Sequence, residues 1–485
     1  CSVLDVIVSV VAFSEQVLCC RFFKCFGVGI RSKSIEVHNV GIEFFCKGYG
    51  LANMEYDIPN TPNSIFNIAS VSKQFAGYAV ALLVQQGKIN PDADIRTYLP
   101  GFPDLHVKIT VRNLLNHTSG IRDQWQILAI AGTKVEDIVT QEHIVRLLNK
   151  QTALNFPPGS RFMYSNSNYT LLAEIVKAVS GQTLRAFSDA AFFKPLGMND
   201  THFHDDYTEL VKNRSCSYDR IDSVHFNNCI MNTSAVGASN LYTTANDIGK
   251  WMMHLCSPKS ADAASIALLA QKGKLNDGTE LDYASGIAVD FYRGWLRYSH
   301  NGSDAGYNSA FTVFPDAETG IAVFGNVSDL RAMDIAAGIA DLILNPGSQQ
   351  AHTKPETPAK DSTLALLTDT VSAQKLTGNY IAENGQTRKI ILKKNQLFVE
   401  SNGILNLLFR EKNDTFAILK YPDVKYVFSK DPLTKTMCVD RVYKVSSEHT
   451  RFARYNEKPK LTEKQLQTYT GTYYCPELDC NYRIV

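Results

Sequence analysis

Residues 68–89 read Ile68-Ala-Ser-Val-Ser-Lys-Gln-Phe-Ala-Gly-Tyr-Ala-Val-Ala-Leu-Leu-Val-Gln-Gln-Gly-Lys-Ile89. Their apolar side chains recur at the three- and four-residue spacing of one helix face, which predicts a helix over residues 71–86. Gly87 supplies a C-terminal stop, because glycine readily adopts the left-handed conformation that commonly ends a helix. The residues that share the apolar face are Phe75, Ala79, Leu82 and Leu83.

Ser70 stands at the start of this predicted helix, and Lys73 follows three residues later. Residues with this spacing share one helix face. A serine hydroxyl is a weak nucleophile until a base removes its proton. A lysine becomes such a base near pH 7 only where burial or positive surroundings favour its neutral form, and a helix N-terminus supplies the second condition. Ser72 is closer in sequence, but adjacent residues do not face each other on a helix.

The pattern Ser-x-x-Lys alone also fits an N-capping serine followed by a surface lysine, so two further stretches matter. In the first, Tyr164-Ser-Asn166 leads into a second apolar-periodic segment. A phenol can act as general base or proton relay if cations lower its pKa, and an asparagine can grip a substrate amide with its donor and its acceptor. The structural alternative is a buried tyrosine at a helix start, with Asn166 as a cap.

The second stretch is Tyr298-Ser-His-Asn-Gly-Ser303, which follows a segment rich in strand formers at 287–297. Two more strands are predicted at 309–314 and 320–324. Gly302 allows another backbone to approach closely, and the N–H of Ser303 could act as an oxyanion donor beside that of Ser70. The alternative for His300 is an ordinary histidine on a surface strand.

Taken together, the order Ser-x-x-Lys, Tyr-x-Asn and His-x-Gly resembles the penicillin-recognising serine hydrolases. This superfamily includes class C β-lactamases, serine D-Ala-D-Ala carboxypeptidases, D-aminopeptidases and family VIII-type esterases. The resemblance covers about residues 41–345. Flanking blocks that match the group are Lys47-Gly-Tyr-Gly-Leu-Ala-Asn53, Val111-Arg-Asn-Leu-Leu-Asn-His-Thr-Ser-Gly120, Pro195-Leu-Gly-Met198 and Gly237-Ala-Ser-Asn-Leu-Tyr-Thr-Thr-Ala-Asn-Asp247.

The resemblance implies a role for each matching position. Ser70 would form the acyl-enzyme, and Lys73 and Tyr164 would accept its proton and pass it to the leaving group. Asn166 would bind the substrate amide. The stretch Asn116-His-Thr-Ser-Gly120 would support the conformation of the cleft.

On the third motif, the resemblance places His300, Gly302 and Ser303 at the substrate. The N–H groups of Ser70 and Ser303 would form the oxyanion hole. His300 stands where the Lys-Thr-Gly motif of classical β-lactamases carries a lysine, so any grip on a β-lactam carboxylate would be weaker and dependent on pH. This departure favours peptidase or esterase chemistry over efficient β-lactamase activity.

The implied fold class is α/β (α+β) and β-lactamase-like: an antiparallel sheet flanked by helices, with a helical subdomain that carries the Tyr164 loop. A small antiparallel, lipocalin-like β-barrel would follow. Asn384-Gly385 and Asn402-Gly403 are hairpin turn signals there. Thr377-Gly-Asn-Tyr380 recurs as Thr470-Gly-Thr-Tyr473, which indicates a weak repeat. The predicted ranges are an unassigned segment at 1–34, the hydrolase domain at 35–345, a linker at 346–364, the barrel at 365–460 and a truncated second module at 461–485.

The composition excludes several other classes. The chain has 485 residues, 45% of them hydrophobic, and a formal net charge of +1, so no global field attracts nucleic acid. No apolar stretch approaches ~18 residues, so no transmembrane segment is expected. The sequence has no nucleotide-binding motif and implies no cofactor. His202-Phe-His204-Asp-Asp206 has the look of metal ligands, but it lacks a third ligand at a recognised spacing, which favours a surface loop and no metal.

The sequence therefore predicts a serine hydrolase that cleaves an ester or amide, including a peptide with D-amino acids, through an acyl-enzyme. The alternatives are a non-catalytic, penicillin-binding-protein-like or peptidoglycan-binding module and a weak class C-like β-lactamase. The expected partner is a small-molecule or peptide substrate, and a homo-oligomer is an open alternative. Export to the periplasm or the extracellular space is expected from the superfamily's usual location. Residues 6–13 do not carry this expectation, because they share only their apolar character with a signal sequence.

Overall fold

A computed structural model describes residues 8–14, 43–134, 136–222, 225–344, 370–382, 386–401, 404–412, 414–418, 421–443, 449–455, 462–463 and 467–485. The chain divides into two compact units. The first comprises Cys1–Ser348 with Thr472–Arg483, and the second comprises Gln349–Gly471 with Ile484–Val485. Among the described residues, no helix has both the length and the apolar character needed to cross a bilayer.

The strands of the first unit group into one large sheet and several short pairings. In chain order they are β1 (Val8–Ser14), β2 (Glu43–Tyr49), β3 (Leu51–Asn53), β4 (Ile58–Pro59), β5 (Phe66–Asn67), β6 (His202–Phe203), β7 (Tyr218–Arg220), β8 (Phe226–Asn228), β9 (Leu241–Thr243), β10 (Ala288–Tyr292), β11 (Trp295–Asp304), β12 (Tyr307–Phe314) and β13 (Thr319–Gly325).

The large sheet has the strand order β10-β11-β12-β13-β1-β2, and every neighbouring pair is antiparallel. The two strands predicted at 309–314 and 320–324 are confirmed as β12 and β13. The predicted His-Asn-Gly motif lies within β11 rather than beyond a strand end. Strand β1 lies between β13 and β2, so part of the segment left unassigned by the sequence contributes to this sheet.

The side chains of each strand alternate between the two faces of the sheet, and both faces are buried. Ala310 and Phe314 of β12 point into a small core with one helix, whereas Phe311 and Val313 point into the main core on the other face. The sheet therefore separates two helical layers, as the predicted fold class requires.

The helices of the first unit are α1 (Lys73–Gln85), α2 (Val111–Leu115), α3 (Gln124–Ile130), α4 (Gln141–Asn149), α5 (Asn166–Ser180), α6 (Leu184–Ser188), α7 (Ala245–Cys256), α8 (Ala263–Leu269) and α9 (Ala332–Leu344). Helix α9 covers one face of the sheet, and α7 covers the other. Helices α2 to α6 form the helical subdomain, in which α5 packs against its neighbours and against α1.

Helix α1 confirms the prediction made from residues 71–86, with a single 3₁₀ turn, Ala69–Ser72, before it. Gly87 follows with a φ of +69°, the left-handed conformation expected of a helix stop. The helix packs against α5 and α8. Its first turn is therefore held between the helical subdomain and the rest of the unit, where a residue such as Lys73 is removed from water.

The described part of the second unit starts with α10 (Thr370–Leu376) and contains an eight-stranded closed antiparallel barrel. Strand β14 (Gly378–Ala382) closes it by pairing with both β15 (Thr387–Lys393) and β21 (His449–Tyr455). The sequence pattern predicts strands at 389–392, 396–400, 404–409, 416–419 and 425–428, but not the strands observed at 378–382, 437–443 and 449–455. The predicted turns at 384–385 and 402–403 and the linker at 346–364 lie outside the described residues. The barrel strands are β14 (Gly378–Ala382), β15 (Thr387–Lys393), β16 (Gln396–Ser401), β17 (Ile404–Lys412), β18 (Thr415–Ile418), β19 (Tyr421–Lys430), β20 (Met437–Tyr443) and β21 (His449–Tyr455).

A C-terminal hairpin joins β22 (Gly471–Cys475) to β23 (Cys480–Ile484). Its first strand begins at Gly471 with a φ of +153°, and β14 begins at Gly378 with a φ of +145°, so the sequence repeat extends to the backbone conformation. Residues of the hairpin belong to the first unit, where Glu477 pairs with Arg122. A truncated second module starting near 461 stays a prediction.

Candidate active site

Ser70 lies in a strained turn between β5 and α1. The preceding residue, Ala69, has a φ of +49°, a left-handed conformation that is unfavourable for a residue with a Cβ atom. The side chain of Asn67 holds this turn by accepting a hydrogen bond from the N–H of Ala69, at 2.8 Å. Ser70 itself is half-buried, so its hydroxyl can be reached from solvent.

Ser72 is fully buried, and its hydroxyl is committed to the backbone. It donates to the carbonyl of Ala69 and accepts from the N–H of Leu241, at 3.0 Å. This serine therefore fastens the turn to β9. Of the two serines considered from the sequence, only Ser70 forms a hydrogen bond with Lys73 through its hydroxyl.

Lys73 is completely buried and makes three polar contacts. Its Nζ lies 3.1 Å from Ser70 Oγ, 2.8 Å from Asn166 Oδ1 and 2.6 Å from the carbonyl oxygen of Ala238. Loss of hydration lowers the pKa of Lys73 to about 7, against the opposing charges of Asp123 and Asp304. A neutral amine has two hydrogens, which Asn166 and Ala238 can accept, and its lone pair then faces Ser70.

Asn166 begins α5 and is oriented by Asp123, a residue that the sequence did not single out. One carboxylate oxygen of Asp123 accepts from the backbone N–H of Asn166 and from its Nδ2, at 2.6 and 2.8 Å. The other oxygen caps α3. This arrangement orients the side-chain amide of Asn166 so that its Oδ1 accepts a hydrogen bond from Lys73. The amide predicted to grip the substrate thus has partners within the protein at both ends.

Tyr164 lies beside the same lysine, with Lys73 Nζ 4.7 Å from the centre of its ring. Its hydroxyl hydrogen-bonds with Ser70. Although 37% of the side chain is exposed, desolvation around the hydroxyl raises the pKa of Tyr164. The hydrogen bond with Ser70 opposes this shift, and the charge of Asp123 adds to it. The tyrosine is therefore a neutral phenol at neutral pH, suited to relaying a proton rather than to removing one as a phenolate.

Strand β11 passes directly over the turn that carries Ser70. A Cβ atom placed on Gly302 would lie 2.5 Å from the carbonyl oxygen of Ile68 and 2.9 Å from Ala69 Cβ. The neighbouring strand contributes Ser309, whose hydroxyl donates to the carbonyl of Ile68 at 2.7 Å. Only glycine permits this approach, which brings the backbone at Ser303 next to the turn.

His300 is buried in a chain of neutral hydrogen-bonding groups. The hydroxyl of Tyr283 lies 3.0 Å from His300 Nε2 and 3.2 Å from His117 Nε2. His300 Nδ1 donates to the carbonyl of Asn301, and His117 Nδ1 accepts from the N–H of Ser165. One assignment satisfies every member: His117 donates to Tyr283, which donates to His300.

Desolvation keeps both histidines of this hydrogen-bonded group, His117 and His300, uncharged. It lowers the pKa of His300 to about 3 and that of His117 well below its usual value, and the charge of Lys73 acts in the same direction on each. The sequence predicted a weak, pH-dependent cation at His300. The structure instead gives a neutral imidazole with partners on both nitrogens.

The structure thus brings the predicted residues Ser70, Lys73, Tyr164 and Asn166 into direct contact, and it places His300 within 6.2 Å of Tyr164, ring centre to ring centre. Sequence reasoning missed Asp123 and Tyr283. An N-cap signal before α3 was available for Asp123, but it points to the helix start and not to Asn166. Tyr283 has no local signal, because its partners are distant in sequence.

Comparison with known proteins gives a consistent assignment. A model described as Beta-lactamase matches residues 34–344. Penicillin-binding protein 4* of Bacillus subtilis (strain 168) is 26% identical over 395 residues, which cover 79% of this chain and 86% of that protein. A D-aminopeptidase of Brucella anthropi is 26% identical over 299 residues, which cover 60% of this chain and 56% of the aminopeptidase.

Solved structures agree on the fold. The octameric penicillin-binding protein homologue from Pyrococcus abyssi gives a TM-score of 0.60 at 19% identity, covering 93% of this chain and 96% of that chain. A D-stereospecific amidohydrolase from Streptomyces gives 0.53 at 20% identity, covering 70% and 95%. Because the family model matches more than half of the residues, the chain belongs to the beta-lactamase family, within the penicillin-recognising serine hydrolases.

Proposed function

We propose that this protein is a serine hydrolase that cleaves an ester or amide bond through an acyl-enzyme on Ser70. The observation that carries the proposal is the lysine geometry. Lys73 is buried, its Nζ lies 3.1 Å from Ser70 Oγ, and two fixed acceptors, Asn166 Oδ1 and the Ala238 carbonyl, use the hydrogens of the neutral amine. A serine beside a base that is deprotonated near pH 7 is an activated nucleophile.

In the proposed reaction, Lys73 takes the hydroxyl proton as Ser70 Oγ bonds to the substrate carbonyl carbon. The oxyanion that forms accepts hydrogen bonds from the N–H groups of Ser70 and Ser303. The neutral Tyr164 donates its proton to the leaving alcohol or amine, and the Lys73 ammonium restores that proton. Water then attacks the acyl-enzyme by the reverse relay and frees Ser70.

The preferred substrates in this proposal lack a carboxylate next to the reacting carbonyl. The position beside the nucleophile that would meet such a group holds His300, which is neutral and has both nitrogens occupied. It therefore supplies no cation to a β-lactam or to a free C-terminal carboxylate. Amides or esters of D-amino acids fit this requirement, and the similar proteins include a D-aminopeptidase and a D-stereospecific amidohydrolase.

The test of the hydrolase proposal is intact-protein mass spectrometry after incubation with a fluorophosphonate. We expect one covalent adduct in the wild type, its loss in Ser70→Ala and its retention in Ser72→Ala, because the Ser72 hydroxyl serves the backbone. Circular dichroism of each variant controls for folding. If the folded wild type gives no adduct, the hydrolase proposal fails and a non-catalytic binding module takes its place.

The substrate class is tested by comparing a D-alanine p-nitroanilide, the L-alanine p-nitroanilide, p-nitrophenyl acetate and a chromogenic cephalosporin on the same protein. We expect turnover of the ester or of the D-amide and slow turnover of the cephalosporin. Rapid cephalosporin hydrolysis would instead identify a β-lactamase, despite the neutral His300.

Export and self-association are two further properties that follow from the proposed superfamily membership and can be tested directly. A sedimentation or light-scattering mass of the purified chain decides whether it forms a homo-oligomer, as the homologue from Pyrococcus abyssi is described to do. Detection of the protein outside the cytoplasm of its native host would support export.

A further inference from the structure

Three potential metal ligands converge at β6, on residues that the hydrolase proposal does not use. His202 lies on β6 and His204 follows directly after its end, and their rings are close together, with centres 5.7 Å apart. The turn that follows brings Glu209 back to them. One ligand atom from each of the three residues lies within 4.8 Å of the other two.

Two of the imidazole nitrogens are left without a partner. His202 Nε2 and His204 Nδ1 are both buried and make no hydrogen bond within the described structure. His204 is only 2% exposed, and its Nδ1 lies 3.7 Å from Glu209 Oε2, too far for a hydrogen bond. Buried polar atoms without partners cost stability, so a bound ligand that pairs with both nitrogens would stabilise this arrangement.

We propose that His202, His204 and Glu209 form a binding site for a divalent transition-metal cation, of which zinc is the closest chemical match. Two imidazoles and a carboxylate are a donor set that zinc accepts, at about 2.0–2.2 Å from each ligand. The three ligand atoms lie within 4.8 Å of one another and would draw together around an ion, and Glu209 can move toward it because its side chain is 35% exposed. Water completes the coordination from that side.

The surrounding charges are compatible with a cation. Arg185 holds Glu209 through both guanidinium nitrogens and also contacts Asp205. On metal binding, Glu209 Oε2 turns to the ion while Oε1 keeps its bond to Arg185 Nη2, so the arginine orients the ligand.

The site would act as a structural clip. It would join β6 to the turn at 206–209. The N–H of His204 donates to the carbonyl of Asn240, two residues from the Ala238 carbonyl that accepts from Lys73. Binding of the cation to the folded state alone raises the unfolding temperature by mass action.

The experiment titrates the metal-stripped full chain with Zn²⁺ against a chromogenic chelator. The variants are His202→Asn and Glu209→Gln, and the control is His225→Asn, which removes an exposed histidine outside the site. We expect one tight ion per chain, weakened at least about tenfold in both site variants and unchanged in the control. Zinc should also raise the unfolding temperature of the wild type but not of Glu209→Gln, a variant that retains its packing.

Cobalt substitution identifies the ligands, because thiolates add an intense charge-transfer band that imidazole and carboxylate lack. A visible d–d spectrum without that band supports the site. Thiolate bands would assign the ion to cysteines and overturn the proposal. Equal binding by all variants, or no binding by the folded wild type, would overturn it as well.

Discussion

At Lys73, burial and two carboxylates act in opposite directions on the protonation state of the base. Desolvation dominates and lowers the pKa of Lys73 to about 7, while Asp123 and Asp304 raise it. Below this pKa the ammonium has no lone pair for the Ser70 proton. We therefore expect the acylation rate to rise with pH through about 7 and then level off, as measured in single turnovers with an active ester. A flat profile across this region would contradict the assigned base.

Replacement of this lysine by arginine separates charge from basicity. Lys73→Arg keeps a cation but cannot lose its proton, so we expect acylation to fall by about 10²–10⁴-fold. Lys250→Arg is the matched control, because Lys250 forms an ion pair with Asp247 and touches none of the proposed catalytic residues. Retention of the fluorophosphonate rate in folded Lys73→Arg would exclude Lys73 as the base.

Asp123 should position Asn166 and tune the lysine at the same time. Asp123→Asn retains an N-cap for α3, because asparagine caps helices as well as aspartate does. It removes the negative charge that favours the Lys73 ammonium, so the acid limb of the rate profile should move to lower pH. A purely structural role would reduce the rate without moving this limb. Asp206→Asn, an exposed substitution, should leave the profile unchanged.

Contact between β11 and the Ser70 turn depends on a single glycine. In Gly302→Ala, the added methyl group would meet the carbonyl of Ile68, so the strand must move away from the turn. Such overpacking costs about 1–3 kcal/mol of the free energy of unfolding. We expect that loss in denaturant titration, together with slower acylation. Gly101→Ala, where the methyl group meets open space, is the control, and equal behaviour of the two variants would contradict the contact.

Elements with strong periodic patterns could be predicted from the sequence. Helix α1 and strands β12 and β13 follow from local apolar spacing, because each buries a face that its own residues define. The local sequence pattern does not show which carbonyl accepts a hydrogen bond from Lys73. The Ala238 oxygen is a backbone atom 165 positions away and has no side-chain signature. The contact between Ser70 and Lys73 could therefore be predicted from their spacing, whereas the backbone carbonyl that accepts a hydrogen bond from Lys73 could not.

For the whole molecule, the two units have separate apolar cores, so we expect two calorimetric unfolding transitions. Phe452 is completely buried in the barrel core, and Phe324 lies in the main core of the first unit. Phe452→Ala should destabilise the barrel by about 3–5 kcal/mol, and Phe324→Ala should lower the other transition. A single unfolding transition whose midpoint temperature falls equally in both variants would contradict independent cores.

Composition shifts along the sequence indicated the division into a hydrolase domain and a barrel, but not the placement of the C-terminal hairpin. The pairing between Arg122 and Glu477 links residues 355 positions apart. A charged pair at that separation leaves no local pattern, so only the folded chain shows that Thr472–Arg483 belongs with the first unit.

The chain of His117, Tyr283 and His300 also constrains how this sequence can diverge. If His300 became lysine, the Tyr283 hydroxyl would lose its acceptor and a second ammonium would stand near Lys73. Restoring a satisfied network would then require a companion change at Tyr283 or His117, so the effects of these substitutions are coupled. A single substitution toward an enzyme that binds a substrate carboxylate with a lysine therefore produces a variant with an unsatisfied hydrogen-bonded network. Laboratory evolution for that specificity should recover paired mutations at these positions.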